Sequence, residues 1–172
     1  MDLASTIRSV PDFPVEGILY YDITTMLKNP EAFKVSIDCL ADQFQDKKID
    51  LVVGVESRGF IFGTSLAYKF GAGFVPVRKP GKLPAKTLAE SYELEYGTNI
   101  LEIHVDAIQK GQKILIVDDL LATGGTAKAA CDLVEKLGGE IIGIAFVIEL
   151  NFLNGRKKLK GYDVFSLLQY EE

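Results

Sequence analysis

The sequence predicts an α/β fold: an open, mostly parallel sheet flanked by helices. Three observations carry this. Four short apolar runs read as buried strands, stripes of apolar residues at helical spacing lie between them, and glycines fall where those helices must stop. Continuous apolar runs suit strands covered on both faces, and strand-helix alternation is the pattern of a parallel sheet.

In chain order, residues 1–29 are loop-rich, with Pro11, Pro14 and Gly17. Phe33, Ile37, Leu40, Ala41 and Phe44 then share one helical face. Leu51-Val52-Val53-Gly54-Val55 is the first predicted strand of the sheet, and a helix is expected within Ser57 to Phe70. Gly71-Ala72-Gly73 reads as a turn, leading into a strand at Gly73-Phe74-Val75-Pro76-Val77. Residues 79–99 hold Pro80, Gly81, Pro84 and Gly97 with scattered charge and no clear core periodicity, and a stretch that long is uncommon unless functional or disordered. A strand follows at Ile114 to Val117, then a helix with the stripe Ala127, Ala130, Cys131, Val134 and Leu137, which Gly138-Gly139 ends. The last predicted strand is Ile141 to Ile148.

At 172 residues the chain fits one domain, 1–172, able to bury roughly 70% of the surface its unfolded form exposes. Hydrophobic residues make up 48% and charged residues 25%, as in soluble globular proteins. The net charge of -5 argues against non-specific binding to nucleic acid or an anionic membrane, but leaves room for an anionic small molecule at a locally positive site. Cys39 and Cys131 lie in apolar helical patterns without metal-ligand spacing, so both read as buried free thiols of a reducing compartment. Residues 1–10 lack the apolar block of a signal peptide, and no apolar run approaches a membrane span; the expected location is the cytoplasm. The single histidine, His104, sits in an apolar alternation and reads as structural; with no Cys-His pair, nucleophilic triads are excluded.

The segment with the clearest chemistry is Ile114-Leu115-Ile116-Val117-Asp118-Asp119-Leu120-Leu121-Ala122-Thr123-Gly124-Gly125-Thr126. A buried strand ends in two carboxylates, a short Thr/Gly loop follows, and a helix begins. Unpaired N–H groups at a helix start favour a phosphate. Gly124 and Gly125 let the backbone approach its oxygens, and Thr123 and Thr126 add hydroxyl donors. Asp118 and Asp119 suit the vicinal hydroxyls of a sugar. No lysine follows the glycines and no G-x-G-x-x-G occurs, so this is neither a Walker A loop nor a Rossmann fingerprint. Arg78, Lys79 and Lys82 follow a strand end, where they form either a solvated loop or a pyrophosphate clamp.

The run from Val117 to Thr126 resembles the signature of type I phosphoribosyltransferases that binds 5-phosphoribosyl-1-pyrophosphate (PRPP), in the form found with adenine as the base. Phe13 to Ile23, Glu56 to Phe60, Val75 to Pro84, Ser91 to Gly97 and Phe165 to Tyr170 resemble that family in the same order. The resemblance implies the type I fold with a small N-terminal hood formed by residues 1–29 and a flap formed by 79–99. It places the 5-phosphate on Ala122, Thr123, Gly124, Gly125 and Thr126 and the ribose on Asp118 and Asp119. It gives pyrophosphate to Glu56, Ser57, Arg58, Arg78, Lys79, Lys82 and Tyr96, with a cis peptide at Glu56-Ser57. Glu95 would handle the proton on the purine ring, although spacing alone does not choose it over Glu90, Glu93 or Glu102. Leu19, Tyr20, Arg58 and Leu120 are base-pocket candidates; core packing is the other reading of Leu19, Tyr20 and Leu120. Tyr21 stands where many relatives carry Arg. The resemblance further implies Mg²⁺ held mainly through PRPP oxygens, near Asp118 and Asp119, and a homodimer. The expected reaction is adenine plus PRPP to AMP and pyrophosphate; the alternatives are another purine base or a non-catalytic PRPP-binding regulator.

Overall fold

The computed structural model describes residues 1–94 and 97–172. The chain groups into two compact units, Met1–Cys39 and Leu40–Glu172.

In the first unit, strands β1 (Arg8–Pro11) and β2 (Leu19–Asp22) pair antiparallel, with Val10 opposite Tyr20. Phe13 meets the Tyr20 ring edge-on, with ring centroids 5.1 Å apart. Asp22 ends β2 and accepts the Thr24 N–H at 2.9 Å, ahead of the short helix α1 (Thr24–Leu27). Hydrogen bonds from Thr24 and then Arg8 hold the Asp22 carboxyl down at about 2. Helix α2 (Pro30–Asp42) starts as a helix should: Asn29 caps the N–H groups of Glu31 and Ala32, and Pro30 takes the first position, where no N–H is needed. Its buried face is Ala32, Ser36, Ile37, Leu40 and Ala41, while Phe33 is only half-buried. Position 39 falls off that face, so Cys39 is exposed, contrary to the expectation from sequence; Cys131 is buried as expected.

The second unit is built on a five-stranded sheet in the order β4-β3-β7-β8-β9, with every neighbouring pair parallel. Its strands are β3 (Leu51–Val55), β4 (Gly73–Val77), β7 (Lys113–Leu121), β8 (Glu140–Leu150) and β9 (Val164–Tyr170). Helix α3 (Gly59–Phe70) connects β3 to β4, and α4 (Gly125–Lys136) connects β7 to β8. Val53, Val55, Ile114, Ile116, Ile144 and Phe146 alternate onto one face and form a core with Ala127, Ala130, Cys131, Leu133 and Val134 of α4. Gly71, in the predicted turn, ends α3 with a φ of 66°, and α4 stops just before Gly138, so the predicted stop at Gly138-Gly139 holds.

Two elements depart from the sequence reading. Strand β7 does not end at Val117 but runs through both aspartates, because the long β8 keeps pairing with it at Leu120↔Ile148 and Leu121↔Glu149. Residues 79–99 are not irregular throughout: β5 (Thr87–Glu93) and β6 (Thr98–His104) form an antiparallel hairpin. From Leu88 onward β5 alternates half-buried Leu88, Glu90 and Tyr92 with exposed Ala89, Ser91 and Glu93. The inward glutamate hides this period-2 pattern from a hydropathy reading; Lys136 of α4 neutralises it. Arg78 and Glu102 exchange backbone hydrogen bonds of 3.0 and 2.7 Å, fastening the hairpin beside the end of β4. The lone histidine is structural: His104 Nε2 accepts the Ala85 N–H at 3.3 Å.

The two thiols should differ sharply. Burial, then the nearby Glu135, pushes Cys131 up to about 12, whereas Cys39 is exposed. A thiol reagent at mildly alkaline pH is expected to label one cysteine, Cys39, in native protein, and both after unfolding, as read by mass spectrometry of peptides.

Candidate active site

Parallel strands gather their carboxyl ends on one side of a sheet, and ligands of open α/β sheets bind there. In the second unit a cavity of about 540 Å³ opens at that place. Its lining brings together Glu56, Ser57, Arg58, Lys79, Lys82, Asp118, Asp119, Leu120 and the whole of Ala122 to Thr126. Each was singled out from sequence.

The loop after β7 is shaped for an anion. Gly124, with a φ of 85°, is the N-cap of α4 and makes no side-chain capping bond. The first-turn N–H groups are therefore left to whatever anion arrives. At the end of β7, Asp118 Oδ1 accepts the Asp119 N–H at 2.8 Å, and Asp119 pairs with the Arg58 guanidinium. Asp118 lies tight against the start of α3: a side chain at Gly59 would put its first carbon 2.9 Å from Asp118 Oδ1. Burial, then the neighbouring Asp119, raises the Asp118 carboxyl well above its ordinary value.

The basic wall is organised by one carboxylate. Glu56 Oε1 accepts from Arg78 at 3.0 Å and Lys82 at 2.6 Å, and Oε2 accepts the Lys79 N–H at 3.0 Å. The Arg78 hydrogen bond is the largest effect on Glu56 and outweighs burial; with Lys82 and Lys79 it brings the carboxyl down to about 2. The Glu56-Ser57 peptide is cis, as the resemblance implies. Arg78 is absent from the cavity lining: its guanidinium is turned to Glu56 and lies 5.9 Å from the Phe60 ring centre.

Tyr92, Asn99 and Leu101 of the hairpin also line the cavity and were missed. Tyr92 meets Thr126 through their hydroxyls at 3.1 Å. No local sequence signal marks Tyr92, because Glu90 breaks the hydropathy alternation of β5. Leu19 and Tyr20 belong to the first unit, on β2, where Leu19 is exposed, Tyr20 half-buried and Tyr21 buried. Glu95 and Tyr96 lie outside the described residues. Among the described residues no three His, Cys, Asp or Glu side chains gather into a metal cage. Two adjacent carboxylates fit a cation carried chiefly by a phosphate ligand, which is how Mg²⁺ is commonly held.

An open helix start, a preceding Asp-Asp pair and a basic cluster line this one cavity, and the family model described as "Phosphoribosyl transferase domain" matches residues 22–170. Adenine phosphoribosyltransferase of Koribacter versatilis is 61% identical over 170 residues, covering 99% of this chain and 93% of that one. The enzyme of that name from Thermotoga maritima is 59% identical over 170 residues, covering 99% and 98%. The crystal structure of adenine phosphoribosyltransferase from Thermoanaerobacter pseudethanolicus superposes with a TM-score of 0.96 at 57% identity, covering 98% of each chain. That from Saccharomyces cerevisiae, complexed with an imino-altritol bisphosphate and adenine, gives 0.92 at 47% identity, covering 97% of each. The chain belongs to the adenine phosphoribosyltransferase family.

The Glu56 cluster gives a pH test. Its folded carboxyl titrates at about 2 against an ordinary 4.5, so its stabilising contribution is complete above 4.5 and is lost as pH falls toward 2. Glu56→Gln is expected to be less stable than the parent near neutral pH, and the gap should close across that acid window in denaturant titrations.

Proposed function

We propose that this chain transfers the 5-phosphoribosyl group of PRPP to adenine, releasing pyrophosphate and forming AMP in purine salvage. The observation that carries this is the lining of a single cavity by a capless helix start, two sugar-suited carboxylates and a basic wall. These match the three parts of PRPP: phosphate, ribose diol and pyrophosphate.

In this reading Ala122 to Thr126 hold the 5-phosphate through backbone N–H groups and the hydroxyls of Thr123 and Thr126. Asp118 and Asp119 accept hydrogen bonds from the ribose hydroxyls. As the C1–O bond lengthens, the ribose gains oxocarbenium character and base N9 attacks C1 with inversion. Pyrophosphate leaves toward Arg58, Lys79 and Lys82, with Ser57 and Glu56 offering backbone and Arg78 supporting from behind Glu56. Charges fixed before the reaction stabilise the departing anion without reorganisation. Leu120 and Arg58 are assigned to the base, Glu95 to the proton on the purine ring and Tyr96 to the pyrophosphate. Flap closure keeps water from hydrolysing PRPP. Mg²⁺, when bound through PRPP oxygens near Asp118 and Asp119, neutralises the leaving group. A single domain, a homodimeric assembly and a cytoplasmic location complete the reading.

The test is pyrophosphate release from PRPP and Mg²⁺ with adenine, hypoxanthine, guanine and orotate offered in turn. Release with adenine alone is expected. Release with another base would overturn the base assignment, and PRPP binding without release would favour a regulator. Asp119→Asn is expected to lower turnover on the order of a hundredfold or more while circular dichroism stays native; unchanged turnover would sink the ribose assignment.

A further inference from the structure

Residues 155–160 are Gly-Arg-Lys-Lys-Leu-Lys. The arginine is not spent on solvent. Arg156 reaches back to Glu149 at the end of β8, with Nε at 2.9 Å from Oε1 and Nη2 on Oε2. Arg156 Nη1 also donates to the Val164 carbonyl at 2.8 Å, and the Ser166 hydroxyl donates to Glu149 Oε2 at 2.6 Å. Glu149 is only 4% exposed. Burial pushes its carboxyl up, but the bonds from Arg156 and Ser166 more than offset this and hold it below its ordinary value. The network ties β8, β9 and the 3-10 turn Gly155–Leu159 together at the end of the sheet.

The residue before Arg156 touches the phosphate loop. A side chain at Gly155 would put its first carbon 2.2 Å from the Ala122 carbonyl oxygen and 3.0 Å from the Gly124 nitrogen. Reciprocally, one at Gly124 would lie 2.4 Å from the Gly155 carbonyl oxygen. Two backbones are in direct contact, with no side chain between them to absorb a shift. Any movement of the Gly155 turn therefore moves the loop. Glu149 is buried while the Arg156 side chain is 44% exposed, so the pair holds the turn through its forked hydrogen bonds rather than as a buried ion pair.

We propose that Arg156 and Glu149 are positioning residues for the 5-phosphate seat, acting through the Gly155 turn on Ala122 and Gly124. This rests on the reading of Ala122 to Thr126 as that seat. The pair touches no substrate. Its role is to keep the N–H groups of the loop aimed at one point, so losing it weakens phosphate affinity and leaves base affinity alone.

The experiment uses the full chain and ribose 5-phosphate as the probe, with binding measured by calorimetry so that no turnover is needed. Arg156→Ala is expected to weaken ribose 5-phosphate binding and raise the PRPP KM by about tenfold or more, as loss of an outer-shell partner does. Arg156→Lys should recover part of the loss, since charge returns without the forked bonds. The adenine KM should stay within about twofold in both, because neither variant alters a group assigned to the base. Gly155→Ala is the second variant and should weaken the same probe without touching the ion pair. Parent protein that does not bind ribose 5-phosphate overturns the loop reading and this proposal with it. Parent that binds, with folded Arg156→Lys and Gly155→Ala binding equally well and only Tm lowered, overturns the positioning role alone.

Discussion

An α-helix that begins directly after a parallel strand leaves its first N–H groups without partners, and this deficit organises the site. Strand β7 delivers the chain to the ligand side of the sheet, Gly124 turns it with a positive φ, and α4 starts without a side-chain cap. Filling that deficit from within, by a capping Ser or Asp, would close the seat. The core beneath α4 holds the helix against the sheet, so the packing of Ala127, Ala130, Leu133 and Val134 also aims the open helix end.

Around this seat the charges are graded by what restrains them. Asp118 is tucked against α3 and biased toward its protonated form, while its neighbour Asp119 is tied to Arg58. Across the cavity, Glu56 gathers Arg78 and Lys82 and takes the Lys79 N–H. Asp119 with Arg58, and Glu56 with Arg78 and Lys82, are pairs between different elements, so the cavity's polarity is a property of the assembled sheet end rather than of any one loop.

Much of this was legible in the sequence because hydropathy and glycine placement act locally. The runs at Leu51–Val55 and Gly73–Val77 became β3 and β4 without change of bounds, and the Thr/Gly loop after the aspartates sits where a strand-to-helix junction must put it. What escaped depends on distant partners. The extra length of β7 comes from β8, which lies some twenty residues later in the chain. The strand character of Thr87–Glu93 is masked because an inward Glu90 is tolerable only once Lys136 is opposite. Cys39 was misplaced because a helical stripe gives a face only to within a residue or two. Tyr92 escaped for the same reason as β5: its hydroxyl gains meaning only beside Thr126.

The Glu56 cluster has a consequence for how an anion is exchanged. Lys82 and Arg78 share one carboxylate of the same chain, so one of their two positive charges is already compensated. A polyphosphate arriving there competes with a tethered rival at effectively fixed concentration, and that rival returns as soon as the guest loosens. Such a wall trades tightness for reversibility: it grips less firmly than bare lysines would, and it lets go faster.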